Sequence, residues 1–298
     1  MTAIVLVVNP FATRVTEDGI AAVERELSRV AEVSIVRTER PRHATELVSD
    51  AGRARSGAIV VFSGDGGFNE ALNGLAGDVP IGFLPGGGTS VLSRALGLPP
   101  DPAAAARRLA EAIASRHTRR ITVGRVNGRR FAFGAGIGID AEAVRRVDRM
   151  GRTDEGKRPG DLAYAMAVAR AIGARRGHME PGLEVKGFGR AAFAFVANGS
   201  PYTYAKRLPL PIAPEAHFEL GLDLVAPVRV RRRTLLPTVL SILSGHVRGR
   251  KDTLYGHDLD RVEIVCDEPT ALHADGEDLG DVVEAVFEAE RGAVSVFV

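Results

Sequence analysis

Four short apolar runs punctuate the first third of the chain: Ile4–Val8, Val33–Val36, Ile59–Phe62 and Ile81–Leu84. Each is too short for a buried helix and carries almost no polar residue, which is how a strand covered on both faces reads. Between them, apolar residues recur at helical spacing over Glu17–Val30, His43–Arg55 and Phe68–Leu75. Strand and helix in alternation predict a parallel sheet with helices on both faces. Asp101 before Pro102 predicts a further helix to Ser115, with aspartate as N-cap and proline in the first turn.

After residue 119 the pattern changes. Ile121–Val126 and Arg130–Phe133 flank Asn127-Gly128, a dipeptide that favours a two-residue hairpin. Strand-like runs follow at Ala191–Ala197, Phe218–Val225, Val262–Cys266, Ala285–Glu290 and Ala293–Val298. Helical patterns at Asp161–Arg175 and Thr234–Leu243 interrupt them. The expectation is two domains. Residues 1–119 form a doubly wound α/β nucleotide domain, and residues 120–298 a β-rich, antiparallel, sandwich-like domain.

The third apolar run ends in Ser63-Gly64-Asp65-Gly66-Gly67, the fourth in Pro85-Gly86-Gly87-Gly88-Thr89-Ser90. Glycine lets backbone N–H groups face an anion without a Cβ in the way, and a helix start behind the turn adds a positive dipole end. Both turns fall at the carboxyl ends of strands, where open α/β sheets bind ligands. Together they read as a phosphate cradle made by Gly64, Gly66, Gly67, Gly87, Gly88 and Thr89. Asp65 is a carboxylate inside that cradle, suited to a magnesium ion or to taking a proton. As a turn residue it is expected to have little packing role. Asn69 and Glu70 open the next helix, where they either touch nucleotide or cap it.

This pair of turns resembles the diacylglycerol kinase catalytic family, which includes sphingosine kinases and bacterial lipid kinases. The family's GGDGTxNE turn is read here as Ser63 through Glu70, and its PxGTxNxxAR turn as Pro85 through Arg94. Val8-Asn9-Pro10 matches its NP motif, Arg37-Thr38 through His43-Ala44 its T-x-x-x-x-HA segment, and Gly136 through Ala141 its GxGxDA segment. Val196-Ala197-Asn198, Ile212 through Ala216 and Asp275-Gly276-Glu277 match later strands and the C-terminal DGE. The likeness spans nearly the whole chain in family order. It implies an ATP-dependent lipid kinase, most simply one acting on diacylglycerol, with ATP and Mg2+ as cofactors. Asn9, Thr38, Glu70 and Glu277 would join the glycine turns at the nucleotide. Asp65 and Glu277 would hold the metal, and Asp140 and Glu142 would meet the lipid head group. The final strand would return to the first domain. The base is either Asp275, as in the bacterial branch, or Asp65, as in the sphingosine kinase branch. The alternatives are an NAD kinase-like enzyme, whose family shares a GGDGT-type turn, and a non-catalytic relative that binds nucleotide or lipid.

The chain departs from the family pattern at several points. Gly67 and Gly88 stand where the family has threonine, and Ser90 where it has asparagine, so hydroxyl donors are shifted or lost unless Thr89 and Ser90 restore them. Glu219-Leu220-Gly221 replaces a DDG that helps hold a structural metal, and Leu220 cannot ligate one.

Composition narrows the partners. A net charge of +2 on 298 residues argues against bulk nucleic-acid binding. Cys266 alone excludes a disulfide framework or a cysteine zinc site, and fits a reduced cytoplasm. No run approaches the ~18–20 apolar residues of a spanning helix, and no leader pattern opens the sequence, so membrane contact is expected to be peripheral. Arg229, Arg231, Arg232 and Arg233 before Leu235–Leu243, with Arg248, Arg250 and Lys251 after, fit either an anionic membrane surface or a core helix with a charged edge. Leu208–Ile212 reads as the mouth of a lipid site, and a homodimer is left open. Gly134-x-Gly136-x-Gly138 lacks the following acidic strand end of a dinucleotide loop. Gly151–Arg158 nearly spells a P-loop, but Arg158 stands where a hydroxyl should hold magnesium, so it reads as a solvent loop.

Overall fold

The computed structural model describes residues 3–54, 56–150, 161–205 and 208–298; Gly151–Arg158 lies outside them. The chain divides into two compact units. One comprises the residues up to Ile121 together with Gly292–Val298, the other Thr122–Arg291.

The first unit alternates as the apolar runs predict. Its elements are β1 (Ala3–Val8), α1 (Glu17–Leu27), β2 (Glu32–Arg37), α2 (His43–Arg53), β3 (Ala58–Ser63), α3 (Asp65–Gly74), β4 (Ile81–Pro85), α4 (Val91–Ala95) and α5 (Pro102–Ser115). The strands pair in parallel in the order β2-β1-β3-β4. Ile4, Leu6, Val8, Val60, Phe62 and Leu84 pack against Val23 and Leu27 of α1 and Leu109 and Ile113 of α5. All are nearly inaccessible to water. Each such side chain contributes about 1.5–3 kcal/mol by leaving water, which makes the sheet a firm base for the turns at its end. Thr16 accepts from the Gly19 N–H at 3.1 Å and caps α1, while Asp101 accepts from Ala104 N–H at 2.8 Å and caps α5. The register places Val8 opposite Phe62, and Ser63 opposite Pro85, so three strands end level and their turns are neighbours.

β5 (Thr118–Val126) carries the chain into the second unit. There follow β6 (Arg129–Phe131), β7 (Gly134–Ile137), α6 (Ile139–Arg149), α7 (Asp161–Ala174), β8 (Leu183–Val185), β9 (Gly189–Ala191) and β10 (Ala194–Ala197). Next come β11 (Thr203–Ala205), β12 (Leu208–Leu210), β13 (Leu222–Pro227), α8 (Leu235–Leu243), β14 (Thr253–Leu259), β15 (Arg261–Ala274) and β16 (Glu277–Phe297). The pairing is antiparallel in the order β14-β13-β10-β7-β15-β16, with β8 and β9 off β15. Asn127 (φ 46°) and Gly128 (φ 88°) form the expected tight hairpin. The residues of β16 from Gly292 onward belong to the first unit, where Val296 pairs in parallel with Ile81.

Several strands differ from the pattern reading. β15 runs on to Ala274 because a register shift between Val265 and Thr270 absorbs the polar stretch with Pro269. β16 starts earlier than expected because Glu277–Val282 are held by pairing across the hairpin, and it continues through Arg291 and Gly292, where a break between two strands is expected. Ala191–Ala197 is split into two strands, and Phe218–Val225 is displaced to β13. β7, Gly-Ala-Gly-Ile, carries a β-favouring residue only at Ile137, so its pattern gives little strand signal.

Candidate active site

In the first unit the two glycine turns meet backbone to backbone. A Cβ on Gly87 would lie 2.8 Å from Gly64 Cα, so neither turn tolerates a side chain where they touch. The Gly86 N–H donates to the Ser63 carbonyl at 2.7 Å and locks the second turn onto the end of β3. The loop after β1 closes over both. Asn9 Nδ2 donates to Ser63 Oγ at 3.2 Å, and the Arg14 N–H donates to the Gly86 carbonyl at 2.9 Å. Exposed Arg14 beside the cradle is a cation that motif reading missed.

Gly64 is the N-cap of α3, so Gly66 and Gly67 present first-turn N–H groups that have no partner within the helix. The start of α4 is different. Its Val91 and Leu92 N–H groups donate to the two Asp65 carboxylate oxygens at 3.1 and 3.2 Å. Asp65 therefore ties one turn to the other and caps the second helix. This corrects the expectation that it has little packing role. The cradle has one open helix end, that of α3, while the other already faces a carboxylate.

The shifted hydroxyl has a steric explanation. A Cβ on Gly67 would lie 2.8 Å from Ser63 Cβ and closer still to Ser63 Oγ. Ser63 and Gly67 thus stand where the family motif has glycine and threonine, and the serine hydroxyl occupies the space of the missing side chain. Ser90 does not replace a ligand-facing donor. It is buried at φ 47°, and its hydroxyl bonds the Gly87 N–H and carbonyl, each at 3.1 Å. Gly88 is exposed with open space around it, and Thr89 is half-buried. Glu70 turns away from its own helix: its carboxylate accepts from the Arg42 and Ala44 N–H groups at 3.0 and 3.3 Å and so caps α2. Thr38 is buried, its N–H bonded to the Val8 carbonyl at 2.9 Å.

In the second unit Asp275 and Gly276 have φ of 47° and 77° and form the two-residue turn between β15 and β16. The Asp275 carboxylate accepts from Ala132, Phe133 and Gly134 N–H groups at 2.6, 2.9 and 3.3 Å. Glu277 forms an ion pair with Arg129. A metal-binding role for Glu277 would have to share that carboxylate with the guanidinium.

The same unit holds an apolar cleft of about 130 Å³, lined by Phe193, Phe195, Ile212, Leu235, Val239 and Ile242 among others. Leu210 lines it too. Its polar end is Asp140, in the first turn of α6. Asp140 Oδ2 accepts from Tyr202 OH at 2.9 Å and lies 2.5 Å from His273 Nε2. The alternating glycines of β7 make this convergence fit. A Cβ on Gly134 would strike the Tyr202 ring, one on Gly136 would lie 2.6 Å from both Asp140 and His273, and Gly138 turns at φ 96° beneath Phe193. Tyr202 and His273 were missed because they lie far from Asp140 in sequence. The signal was available in the alternation of glycines, which marks close approach on a strand. Glu142 is not part of the cleft; it pairs with Arg175 beside a separate polar groove.

Among the described residues no group of three or more His, Cys, Asp or Glu side chains is placed to hold a metal ion. Magnesium bound through one or two carboxylates and substrate phosphates needs no such cage, and Asp65 fits that mode. At the stretch resembling the structural-metal motif, the Gly221 N–H instead donates to Asp258 at 2.7 Å, and Asp258 pairs with Arg291 at 2.8 Å.

An α/β unit with two paired glycine turns at its strand ends stands in one chain with an antiparallel unit that holds an apolar cleft. Residues 3–126 match the diacylglycerol kinase catalytic domain, and residues 134–298 match the YegS C-terminal NAD kinase beta sandwich-like domain. The chain belongs to the diacylglycerol kinase catalytic family. It is 36% identical over 110 residues to a diacylglycerol kinase of Bacillus subtilis, covering 34% of this chain and 35% of that one. The matches span less than half the length of each of these curated relatives. A crystal structure of a diacylglycerol kinase from Bacillus anthracis superposes with TM-score 0.71 at 18% identity, over 99% of this chain and 96% of that one. An NAD kinase from Archaeoglobus fulgidus in complex with ATP superposes with TM-score 0.55 at 15% identity, over 99% and 93%. Both likenesses are of fold.

Proposed function

We propose that the chain is an ATP-dependent lipid kinase that phosphorylates a lipid hydroxyl, diacylglycerol being the simplest acceptor. The observation that carries this reading over an NAD kinase is the apolar cleft of the second unit, which suits an acyl chain and offers a dinucleotide little. Phosphoryl transfer asks a protein mainly to hold phosphates, balance charge and orient the attacking hydroxyl. Gly64, Gly66, Gly67, Gly87, Gly88 and Thr89 would hold the phosphates, with Asn9, Thr38 and Arg14 around them, while the Glu70 carboxylate caps α2. Magnesium, held through Asp65, would offset phosphate charge. Asp275 shares its unit with the cleft, and we assign it the proton of the lipid hydroxyl; Asp65 shares its unit with the phosphate turns. Labelled ATP offered with a lipid panel and with NAD tests the reading. Label should enter lipid and not NAD; the reverse outcome makes the protein an NAD kinase.

Membrane contact through α8 belongs to the same proposal. Among the described residues no helix is long and apolar enough to cross a membrane. Leu236 and Leu240 of α8 are 67% and 57% exposed. Among the described residues no carboxylate pairs with exposed Arg231, Arg232 or Arg233, while Arg229, Arg248 and Arg250 are paired. Anionic vesicles should pellet the protein, salt should weaken this, and replacing the three arginines with Gln should reduce it. Equal pelleting with neutral vesicles would remove the electrostatic part.

A further inference from the structure

Arg-Arg-x-Thr occurs twice in the chain, at Arg119–Thr122 and at Arg231–Thr234. Protein kinases that choose substrates by charge favour a hydroxyl just after such a basic pair. Burial separates the two copies. Thr122 is 0% exposed within β5, out of reach of a second protein. Thr234 is exposed and stands immediately before α8. The segment that carries it is fixed in place. Met179 and Val230 exchange backbone hydrogen bonds at 2.8 and 3.0 Å. Thr234 Oγ1 closes the next turn, accepting from the Arg231 N–H at 3.1 Å and donating to the Arg231 carbonyl at 3.2 Å. The hydroxyl is thus held at the surface within three residues of Arg231, Arg232 and Arg233, which no described carboxylate neutralises. Leu236 and Leu240 follow one turn apart and share the outer face of α8.

We propose, on the reading of α8 as a membrane contact, that Thr234 is a phosphorylation site whose occupancy releases the protein from the membrane. The modifying partner is a serine/threonine protein kinase that selects basic sequences and uses magnesium-ATP. Thr234 Oγ1 forms the new bond to the γ-phosphorus. The bond from that phosphorus to the β,γ-bridging oxygen breaks, ADP leaves, and the hydroxyl proton passes to the modifying enzyme. The ester carries a charge of about −1.5 to −2 at neutral pH, which cancels about two of the three neighbouring arginines. Its oxygens also accept charge-assisted hydrogen bonds from the same guanidinium groups, taking those donors away from lipid phosphates. Basic clusters beside an amphipathic helix are released from anionic lipid in this way. With Leu236 and Leu240 as its main exposed apolar groups, α8 leaves charge a large share of the contact.

The test treats the full chain with the catalytic subunit of cyclic AMP-dependent protein kinase and ATP, and maps the phosphate by peptide mass spectrometry. Both forms are then pelleted with vesicles of phosphatidylglycerol and phosphatidylcholine. Phosphate should enter Thr234 and leave Thr122 unmodified. The phosphorylated form should bind these vesicles at least about tenfold more weakly, as expected when about two basic residues at the surface are cancelled. High salt should shrink the difference. Thr234→Val should take up no phosphate at that position and should pellet alike with and without kinase treatment. Thr234→Glu, with one negative charge, should fall between the unmodified and phosphorylated forms. The proposal is overturned if Thr234 takes up no phosphate. It is also overturned, with the membrane contact left standing, if the phosphorylated form pellets as well as the unmodified one. If the unmodified protein does not pellet with anionic vesicles, the membrane reading of α8 fails and the switch fails with it.

Discussion

The Asp65 turn and the Asp275 turn solve the same problem in different surroundings. Asp65 sits between two strand-to-helix turns of a parallel sheet and takes two backbone N–H groups from the start of α4. Asp275 sits in a hairpin of an antiparallel sheet and takes three, from the segment leading into β7. Each carboxylate accepts from backbone N–H groups of a neighbouring segment. Such a group is pre-oriented, and it is also part of the scaffold. Loss of activity in either variant therefore needs a stability measurement beside it.

The largest expected effect is at Asp275. Asp275→Asn should lower turnover by about 10²–10⁴, the usual cost of removing a general base, with ATP affinity by calorimetry little changed. Loss of ATP affinity with unchanged turnover at saturation would move the base to Asp65. At Asp65, both Asn and Ala should lower turnover by about 10²–10³, as expected when charge stabilisation is lost. Their stabilities should separate. Asn keeps an oxygen for the cap, whereas Ala should cost about 0.5–2 kcal/mol, read as a drop in Tm of about 2–4 °C per kcal/mol. Equal Tm values for the wild type and the Ala variant would mean the cap contributes nothing.

The neighbouring pair gives a smaller effect with a built-in reversal. Gly67→Thr should destabilise by about 1–3 kcal/mol because its side chain overlaps Ser63. Adding Ser63→Gly should recover most of that and keep ATP affinity. A double variant as unstable as the single one would refute the exchange of hydroxyl positions.

The smallest effect comes from a third carboxylate, this one buried and with fewer backbone donors. Asp223 accepts one N–H, from Asp258 at 3.1 Å, and its other partners are His257 and Tyr255. Burial raises its pKa above 3.8, against the lowering effect of these hydrogen bonds. A raised folded value means that the stability it contributes is present below the ordinary value and lost as pH rises through the folded one. Unfolding free energy should therefore fall with pH just above that ordinary value, and Asp223→Asn should flatten the slope. A slope unchanged in the variant would assign it to other groups.

The first unit was legible because its strands are buried on both faces and its helices are amphipathic. The second was less so. β7 is Gly-Ala-Gly-Ile and looks like a loop, and β15 passes through Asp267 to Thr270, a polar stretch that local pattern reads as a break. The glycine turns could be read in one dimension because all their parts are contiguous. Of the polar end of the cleft, only Asp140 could be named from sequence, through the resemblance. Asp140, Tyr202 and His273 meet only through antiparallel pairing, and no spacing rule links them. Even at the turns, the sequence did not reveal that Asp65 and Glu70 each cap a helix other than their own.

β16 begins at the Asp275 turn and ends beside β4, and Gly292–Val298 belong to the first unit. During synthesis the first unit emerges early but lacks this strand until all of Thr122–Arg291 has left the ribosome. The edge of β4 then waits unpaired through most of translation, an exposed strand of the kind chaperones protect. Moving Gly292–Val298 by circular permutation to precede β1 would let the first unit close as soon as it is made.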